Sequence, residues 1–141
     1  EANANLEYQF VKKYYLRFNG NCTYQKAVDR TDPTGKTFNH QIPYTPVWSG
    51  STSLGFETPW ITITYAVILC GKRYALGENI PANKVPGYVD HSITLSHEFD
   101  IRQTKLGLKL ELLNLANQNY LIIRNYPMQG FGLRGRISWG F

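Results

Sequence analysis

The feature that most limits the fold is an alternation of apolar and polar residues that recurs along the chain. In the clearest stretch, at the C-terminus, one side consists of Phe131, Leu133, Gly135, Ile137, Trp139 and Phe141. The positions between them are polar or small: Gly132, Arg134, Arg136, Ser138 and Gly140. Because successive side chains of a β-strand point to opposite faces, this pattern predicts a strand with one apolar face.

The same alternation predicts seven strands in all, and no stretch has the helical period of about 3.6 residues. The predicted strands cover residues 6–10, 16–25, 47–57, 61–74, 89–99, 106–113 and 131–141. Short connections, at 11–13, 58–60 and 100–105, alternate with long ones, at 31–46, 75–87 and 114–130. We therefore expect an all-β, antiparallel sheet with short turns at one end and long loops at the other, as in outer-membrane barrels.

Alternation alone does not say which face of the sheet meets the surroundings, since soluble lipocalin-like barrels and sandwiches alternate as well. Three features favour lipid on the apolar face. The polar face is rich in Ser, Thr, Gly and Asn rather than in Lys and Glu. The last strand keeps its alternation to the final residue. Aromatic residues lie at both strand ends and fit two membrane interfaces: Phe10, Trp60, Phe99, Trp139 and Phe141 near the short turns, and Tyr24, Trp48 and Tyr88 near the long loops.

Composition and spacing argue against several other classes. The longest apolar run, 65–70, is far shorter than the roughly 18–20 residues of a membrane-spanning helix. The net charge of +5 is spread along the chain without a basic run, so we expect no nucleic-acid partner. His40, His91 and His97 lie far apart without a metal-site spacing, and no serine lies in a nucleophile motif. We therefore expect neither an enzyme nor a cofactor.

The two cysteines are expected to stay unpaired. Cys22 falls on the apolar face of its predicted strand, whereas Cys70 falls on the polar face of another, with strand 47–57 between them. Disulfide geometry is strict, so side chains placed in this way cannot be joined.

Near the C-terminus, Asn114, Leu115, Asn117 and Tyr120 are followed by Tyr126, Pro127, Met128 and Gly130. These residues resemble the "N-L-x-[ND]-x-x-Y" and "Y-P-x-P-G-R" segments that precede the final strand of TonB-dependent outer-membrane receptors. Upstream, residues 42–46 resemble the family's start of a descending strand, and residues 71–74 resemble a strand-end motif. Gln129 and Phe131 depart from the family pattern, which leaves the ligand contacts of that loop open.

The resemblance implies that residues 1–141 form the C-terminal part, about a third, of a transmembrane β-barrel of about 22 strands. No plug domain is present in this sequence. Bacterial single-chain barrels have an even number of strands, at least about eight, whereas seven are predicted here. We therefore expect upstream sequence or a separate chain to supply the remaining strands and the plug. In this family the terminal aromatic strand is read by the assembly machinery, which gives Trp139 and Phe141 that role.

The function implied by the resemblance is active transport of a scarce nutrient across the bacterial outer membrane. Ferric siderophores, haem, cobalamin and oligosaccharides are all cargo of such receptors. The chain would supply the wall and the extracellular loops, with the TonB complex acting through the missing plug. Other implied partners are outer-membrane lipid, lipopolysaccharide and a surface substrate-binding lipoprotein. Two alternatives stay open: a structural or adhesive outer-membrane barrel completed by oligomerisation, and a soluble β-barrel carrier.

Two groups of residues are candidates for contacts. The polar face carries Glu7, Arg17, Lys72, Asp90, Glu98, Lys109, Glu111, Arg134 and Arg136. Five of them are the candidates for contact with a ligand or the plug: Arg17, Lys109, Glu111, Arg134 and Arg136. The alternative is a network that satisfies itself through cross-strand pairs. On the long loops, Tyr44, Tyr120, Arg124 and Tyr126 fit either a recognition surface or ordinary interface anchors.

Overall fold

The computed structural model describes residues 1–140, and over this range the protein is all-β. The strands are β1 (Ala2–Val11), β2 (Tyr14–Tyr24), β3 (Trp48–Glu57), β4 (Thr62–Cys70), β5 (Arg73–Tyr74), β6 (Lys84–Val85), β7 (Tyr88–Ile101), β8 (Thr104–Leu113), β9 (Leu121–Ile123), β10 (Tyr126–Pro127) and β11 (Gly132–Gly140). A single 3-10 turn covers Pro81–Asn83. None of the described residues belongs to a helix long and apolar enough to cross a membrane.

Seven of these strands form one antiparallel sheet in the order β1-β2-β3-β4-β7-β8-β11. Each strand pairs with its neighbour along the chain, which confirms the predicted seven-stranded antiparallel arrangement. In the described part of the chain, β1 and β11 each have one neighbour, so the sheet is open and does not close into a barrel. The remaining short strands form two small hairpins, β5 with β6 and β9 with β10.

The strand boundaries differ from the prediction in several places. The first strand, predicted over residues 6–10, covers Ala2–Val11 and is twice as long. The predicted strand 61–74 ends at Cys70, and Arg73–Tyr74 pairs instead with β6 outside the main sheet. The last bond of this ladder runs from the Gly71 N–H to the Trp48 carbonyl at 2.8 Å, and beyond it the chain leaves the sheet. The turn between β7 and β8 is shorter than expected, because Asp100 and Lys105 still pair across the ladder.

The register puts most apolar residues of the seven strands on one face and most polar residues on the other; Ile68, opposite Asp90, is an apolar residue on the polar face. Apolar pairs such as Leu6 with Phe18 and Leu54 with Tyr65 alternate with polar pairs such as Glu111 with Arg134. Nothing within the described chain covers the apolar face, where Ile137 is 74% exposed. The two buried hydrophobic residues of this range, Ala75 and Val85, lie in the loops and not under the sheet.

The two cysteines lie as predicted from the alternation. Cys22 is opposite Gly50 on the apolar face, whereas Cys70 is opposite Ser49 on the polar face, with β3 between their strands. Both thiols are free. The cysteines therefore confirm the predicted register of β2 and β4.

Candidate functional site

The three long loops, 25–47, 71–87 and 114–131, leave the sheet at one end and pack together; we call this assembly the loop layer. The turns at the opposite end are short. Most of the buried residues of the described chain lie in the loop layer: Arg73, Ala75, Asn83, Val85 and Asn114. The molecule therefore has its packed interior over one end of the sheet rather than along either face.

Arg73 is the centre of this interior. It is 3% exposed, and its Nη2 donates to the carbonyls of Leu121 at 2.5 Å and Ile122 at 2.7 Å. Its Nη1 donates to the Pro86 carbonyl at 3.3 Å, and its Cζ lies 5.6 Å from the centre of the Tyr88 ring. A buried charge is tolerated when its donors are satisfied, so Arg73 fixes β9 against the second loop. Sequence reasoning missed this role, because continued alternation from β4 assigns Lys72 to the polar face and gives Arg73 no special position.

Asn79 joins the first long loop to the second. Its Nδ2 donates to the Gln41 carbonyl at 3.1 Å, and its Oδ1 accepts the Gln41 N–H at 2.5 Å. The Tyr44 N–H adds a bond to the Tyr74 carbonyl at 2.8 Å. These bonds satisfy backbone groups that would otherwise lack partners away from water, so the two loops act as one unit.

The asparagines of the third loop set its path. Asn114 is buried with φ 48°, and its Nδ2 donates to the carbonyls of Gln118 at 3.0 Å and Gln129 at 3.1 Å. Asn117, with φ 47°, accepts the Phe131 N–H on its Oδ1 at 2.9 Å. Asn is one of the few residues that adopt this left-handed conformation readily. Two residues that carry the family resemblance are therefore those that shape the loop.

Tyr120 anchors the third loop to the polar face of the sheet. Its hydroxyl donates to Asp90 Oδ2 at 2.6 Å, and its ring stacks on Tyr88 with centres 4.2 Å apart. Burial, and then the hydrogen bond to the Asp90 carboxylate, raise the pKa of the Tyr120 phenol, so it stays a donor. The loop layer consequently leans over the polar face, and Tyr120 is an anchor rather than an exposed recognition residue.

Tyr44 and Arg124 come together where the three loops meet. The Arg124 N–H donates to the Tyr44 hydroxyl at 3.4 Å, and the Arg124 Nη1 donates to Asn83 Oδ1 at 3.3 Å. Both side chains remain exposed, and Tyr126 on β10 is 71% exposed. Three of the four predicted loop residues therefore lie on the accessible surface of the loop layer.

Two acidic residues of the first loop accept hydrogen bonds from threonines of the same loop. Asp29 accepts hydrogen bonds from the Thr37 hydroxyl at 2.6 Å and the Thr31 N–H at 2.9 Å, which lower its pKa to about 2. Asp32 accepts from the N–H and the hydroxyl of Thr34 at 2.9 and 2.8 Å, which also lowers its pKa. Both carboxylates are thus engaged within their own turn.

Charged residues of the polar face form two cross-strand networks. Arg17 on β2 bridges Glu7 at 3.0 Å and Glu57 at 2.7 Å. Glu111 on β8 pairs with Arg134 at 2.5 Å and with Lys109 at 3.0 Å. Four of the five predicted contact residues on this face therefore satisfy one another or a neighbouring carboxylate.

Arg136 is the exception among these five. It lies opposite Lys109 and forms no ion pair with any described residue. It lines a hollow of about 460 Å³ near the short turns, which Glu98 and Ser138 also border. Trp139, 59% exposed, lies on the apolar face at this end, whereas Phe141 lies outside the described residues.

The histidines are placed without metal-site geometry. His91 lies on the apolar face with its Nδ1 2.6 Å from the Tyr65 hydroxyl, and His40 accepts the Asn79 N–H in the loop layer. Within residues 1–140, no group of three or more His, Cys, Asp or Glu side chains is arranged to hold a metal ion.

The chain matches no model of a known protein family, and no curated protein sequence is similar to it.

Proposed function

We propose that this chain is a section of the wall of a bacterial outer-membrane β-barrel, with the loop layer on the outer surface. The observation that carries the proposal is the apolar face, which is continuous over seven strands and uncovered within the described chain. Apolar lipid tails cover the outward-facing apolar band of outer-membrane barrels, and they can cover this face in the same way. A bilayer is therefore the environment that fits this sheet.

Strand length and aromatic placement support the same surroundings. The seven sheet strands are 9 to 14 residues long, and a tilted transmembrane strand needs about 9–11. Tyr24 and Trp48 lie together at the loop end, with ring centres 4.7 Å apart. Tyr14 and Trp60 lie together at the turn end, with centres 6.1 Å apart. Tyr and Trp prefer the two interfaces of a bilayer, so these pairs fit its boundaries.

The direction in which the loops lean argues against a soluble carrier. In such a barrel the apolar face would be the interior and the polar face would meet water. Tyr120 and Arg73 instead bring the loop layer over the polar face, through Asp90 and Tyr88. Loops that lean over a polar face fit a barrel whose interior is polar.

We further propose that the complete barrel is a TonB-dependent transporter of about 22 strands for a scarce nutrient. The support is the resemblance of residues 110–130, whose Asn114, Asn117 and Tyr120 all have specific bonds in the third loop. In this proposal, other strands pair with β1 and β11, because each unpaired backbone group in lipid costs several kcal/mol. The plug and the TonB complex supply the energy coupling.

Face-resolved quenching tests the membrane proposal. Single cysteines replace Leu54 or Leu108 on the apolar face, and Ser53 or Thr94 on the polar face, in a Cys22→Ser, Cys70→Ser background, and each carries an environment-sensitive dye. With the assembled protein in vesicles, bromine-bearing lipid chains should quench the dye at the apolar positions and spare the polar ones. Equal quenching on both faces, or none, would contradict the proposal.

Energised uptake separates a transporter from an adhesive barrel. Cells that make the complete protein are given ferric citrate, haemin or cobalamin as labelled probes, with and without a protonophore. A TonB-dependent transporter should accumulate one of the probes only while the proton gradient is intact. Protein-dependent adhesion without energised uptake of any of these probes would favour the adhesive alternative.

A further inference from the structure

We propose that the loop layer binds an anionic ligand that also has an apolar part, with Arg124, Lys84, Tyr44 and Tyr126 forming the site. The inference rests on the proposed function, because it takes the loop layer as the surface that meets the medium. It adds the chemical class of the ligand and the residues that select it.

The charge of the chain is concentrated in the loop layer. Its three loops contain seven basic and three acidic side chains, a net charge of +4, in a chain whose net charge is +5. Six of the basic residues are exposed: Lys26, Arg30, Lys36, Lys72, Lys84 and Arg124. All four ion pairs among the described residues lie on the polar face of the sheet and none in the loops. Asp29 and Asp32 are bonded to threonines of their own loop, and Glu78 forms none of these ion pairs. The net positive charge of the loops therefore attracts anions from outside.

Arg124 has the position and the free donors that a binding residue needs. Its backbone touches the first loop through Tyr44, and its guanidinium touches the second loop through Asn83. Lys84 follows Asn83 directly and is exposed on β6. The hydrogen bond to Asn83 uses one nitrogen of the Arg124 guanidinium. The remaining N–H donors of this planar group suit a carboxylate, phosphate or sulfonate group.

Apolar surface surrounds these cations. Tyr126 is 71% exposed, Ile123 on the same hairpin is 52% exposed, and Tyr44 is 39% exposed. A small inorganic anion would leave this surface in water, whereas a ligand with a ring or an acyl part would cover it. The combination therefore favours an anion with an apolar portion.

Anionic groups of this kind occur in dissolved molecules and in the headgroups of outer-leaflet lipids. Tyr120 and Arg73 draw the loop layer over the polar face, away from the apolar face that lipid would cover. The site is therefore assigned to a dissolved ligand that arrives at the mouth of the barrel.

The test uses pyranine, a fluorescent aromatic trisulfonate, titrated onto the complete protein in an uncharged maltoside detergent. The double variant Arg124→Gln, Lys84→Gln should weaken pyranine binding by about tenfold or more, since charge-assisted hydrogen bonds are lost. The matched variant Lys26→Gln, Lys36→Gln removes the same charge elsewhere in the layer and should weaken binding by less than about twofold. Maltotriose, which is uncharged, should not compete.

Three results would overturn the inference: no pyranine binding, equal losses in the two double variants, or competition by maltotriose. A fourth contradictory result would be weaker binding of the Arg124→Gln, Lys84→Gln variant to vesicles that contain phosphatidylglycerol, with no change in pyranine binding. That result would assign the two residues to lipid headgroups. The quenching experiment is independent of all four, so failure of the ligand site and failure of the barrel proposal are distinguished.

Discussion

At the scale of single residues, asparagines in left-handed backbone conformation are what give the third loop its shape. Asn114 combines a positive φ with hydrogen bonds to two carbonyls and one N–H, and it is 3% exposed. Such a residue has two separable contributions, the backbone conformation and the side-chain amide. Glycine keeps the first without the second, and alanine keeps neither.

We expect Asn114→Ala to destabilise the third loop more than Asn114→Gly. Both variants lose the amide bonds, at a cost of about 1–3 kcal/mol for the groups left unpaired. Alanine adds the strain of a left-handed conformation, which glycine adopts freely. Hydrogen exchange of amides 114–131 measures the effect; equal exchange in both variants would contradict the role of the backbone.

Asp29 gives a pH-dependent prediction. Its pKa of about 2 lies below the ordinary value of 3.8, so its hydrogen bonds stabilise the first loop above pH 3.8 and are lost as the pH falls through about 2. Thr37→Val removes the principal donor and should raise the pKa of Asp29 towards 3.8, whereas Thr37→Ser keeps the hydroxyl and should preserve the low value. The chemical shift of the Asp29 carboxyl carbon, followed against pH, measures the pKa in both variants. An unchanged pKa in Thr37→Val would show that Thr37 does not lower the pKa of Asp29.

At the scale of elements, the ladders could be predicted from the sequence and the loop hairpins could not. Alternation with period two is a local signal that fixes both the presence of a strand and its apolar face. The alternation ends β7 too early, at residue 99, and begins β8 too late, at residue 106, because the polar pair Asp100 and Lys105 carries no apolar marker. Hairpin β5–β6 depends on contacts between loops distant in sequence, such as Arg73 with Leu121, which no local pattern encodes.

The network at β8 and β11 makes a prediction about pairing between elements. Glu111 is 7% exposed and is the shared partner of Arg134 and Lys109, so Glu111→Gln leaves both cations without their carboxylate. We expect this variant to lower the urea midpoint of the assembled protein. Arg136→Gln, one position along the same face, should leave the midpoint nearly unchanged, because Arg136 has no ion pair among the described residues. A larger loss from Arg136→Gln would show that Glu111 does not hold the strands together.

At the scale of the whole molecule, the same substitution should have different effects on stability on the two faces of the sheet. Leu54 and Ser53 are adjacent on β3 and lie on opposite faces. In the proposed membrane setting, Leu54→Arg should cost about 2–4 kcal/mol, whereas Ser53→Arg faces the polar side and should cost little. The heat-modifiable band on a gel measures the assembled fraction; equal assembly of both variants would contradict lipid on the apolar face.

The predicted site could be assigned in part from the sequence. Residue type on long loops identifies Tyr44 and Arg124 as candidates, and the two residues meet at the junction of the loops. Tyr120 has the same residue type but a different environment, since its partner Asp90 lies 30 residues away. Residue type thus identifies a candidate, whereas exposure depends on pairings that only the folded chain defines.

The order of the sheet, in which each strand pairs with its successor, has a consequence for how the protein is assembled. Each ladder of the main sheet joins two strands that follow one another in the sheet order, across a short turn or one long loop. Because the entropic cost of closing a loop rises only slowly with its length, each step costs little. The strands therefore have a natural order of addition along the sheet. In the proposed barrel the edges of β1 and β11 are different, because their partner strands come from outside this order. We expect the joining of those two edges to be the slow step of assembly.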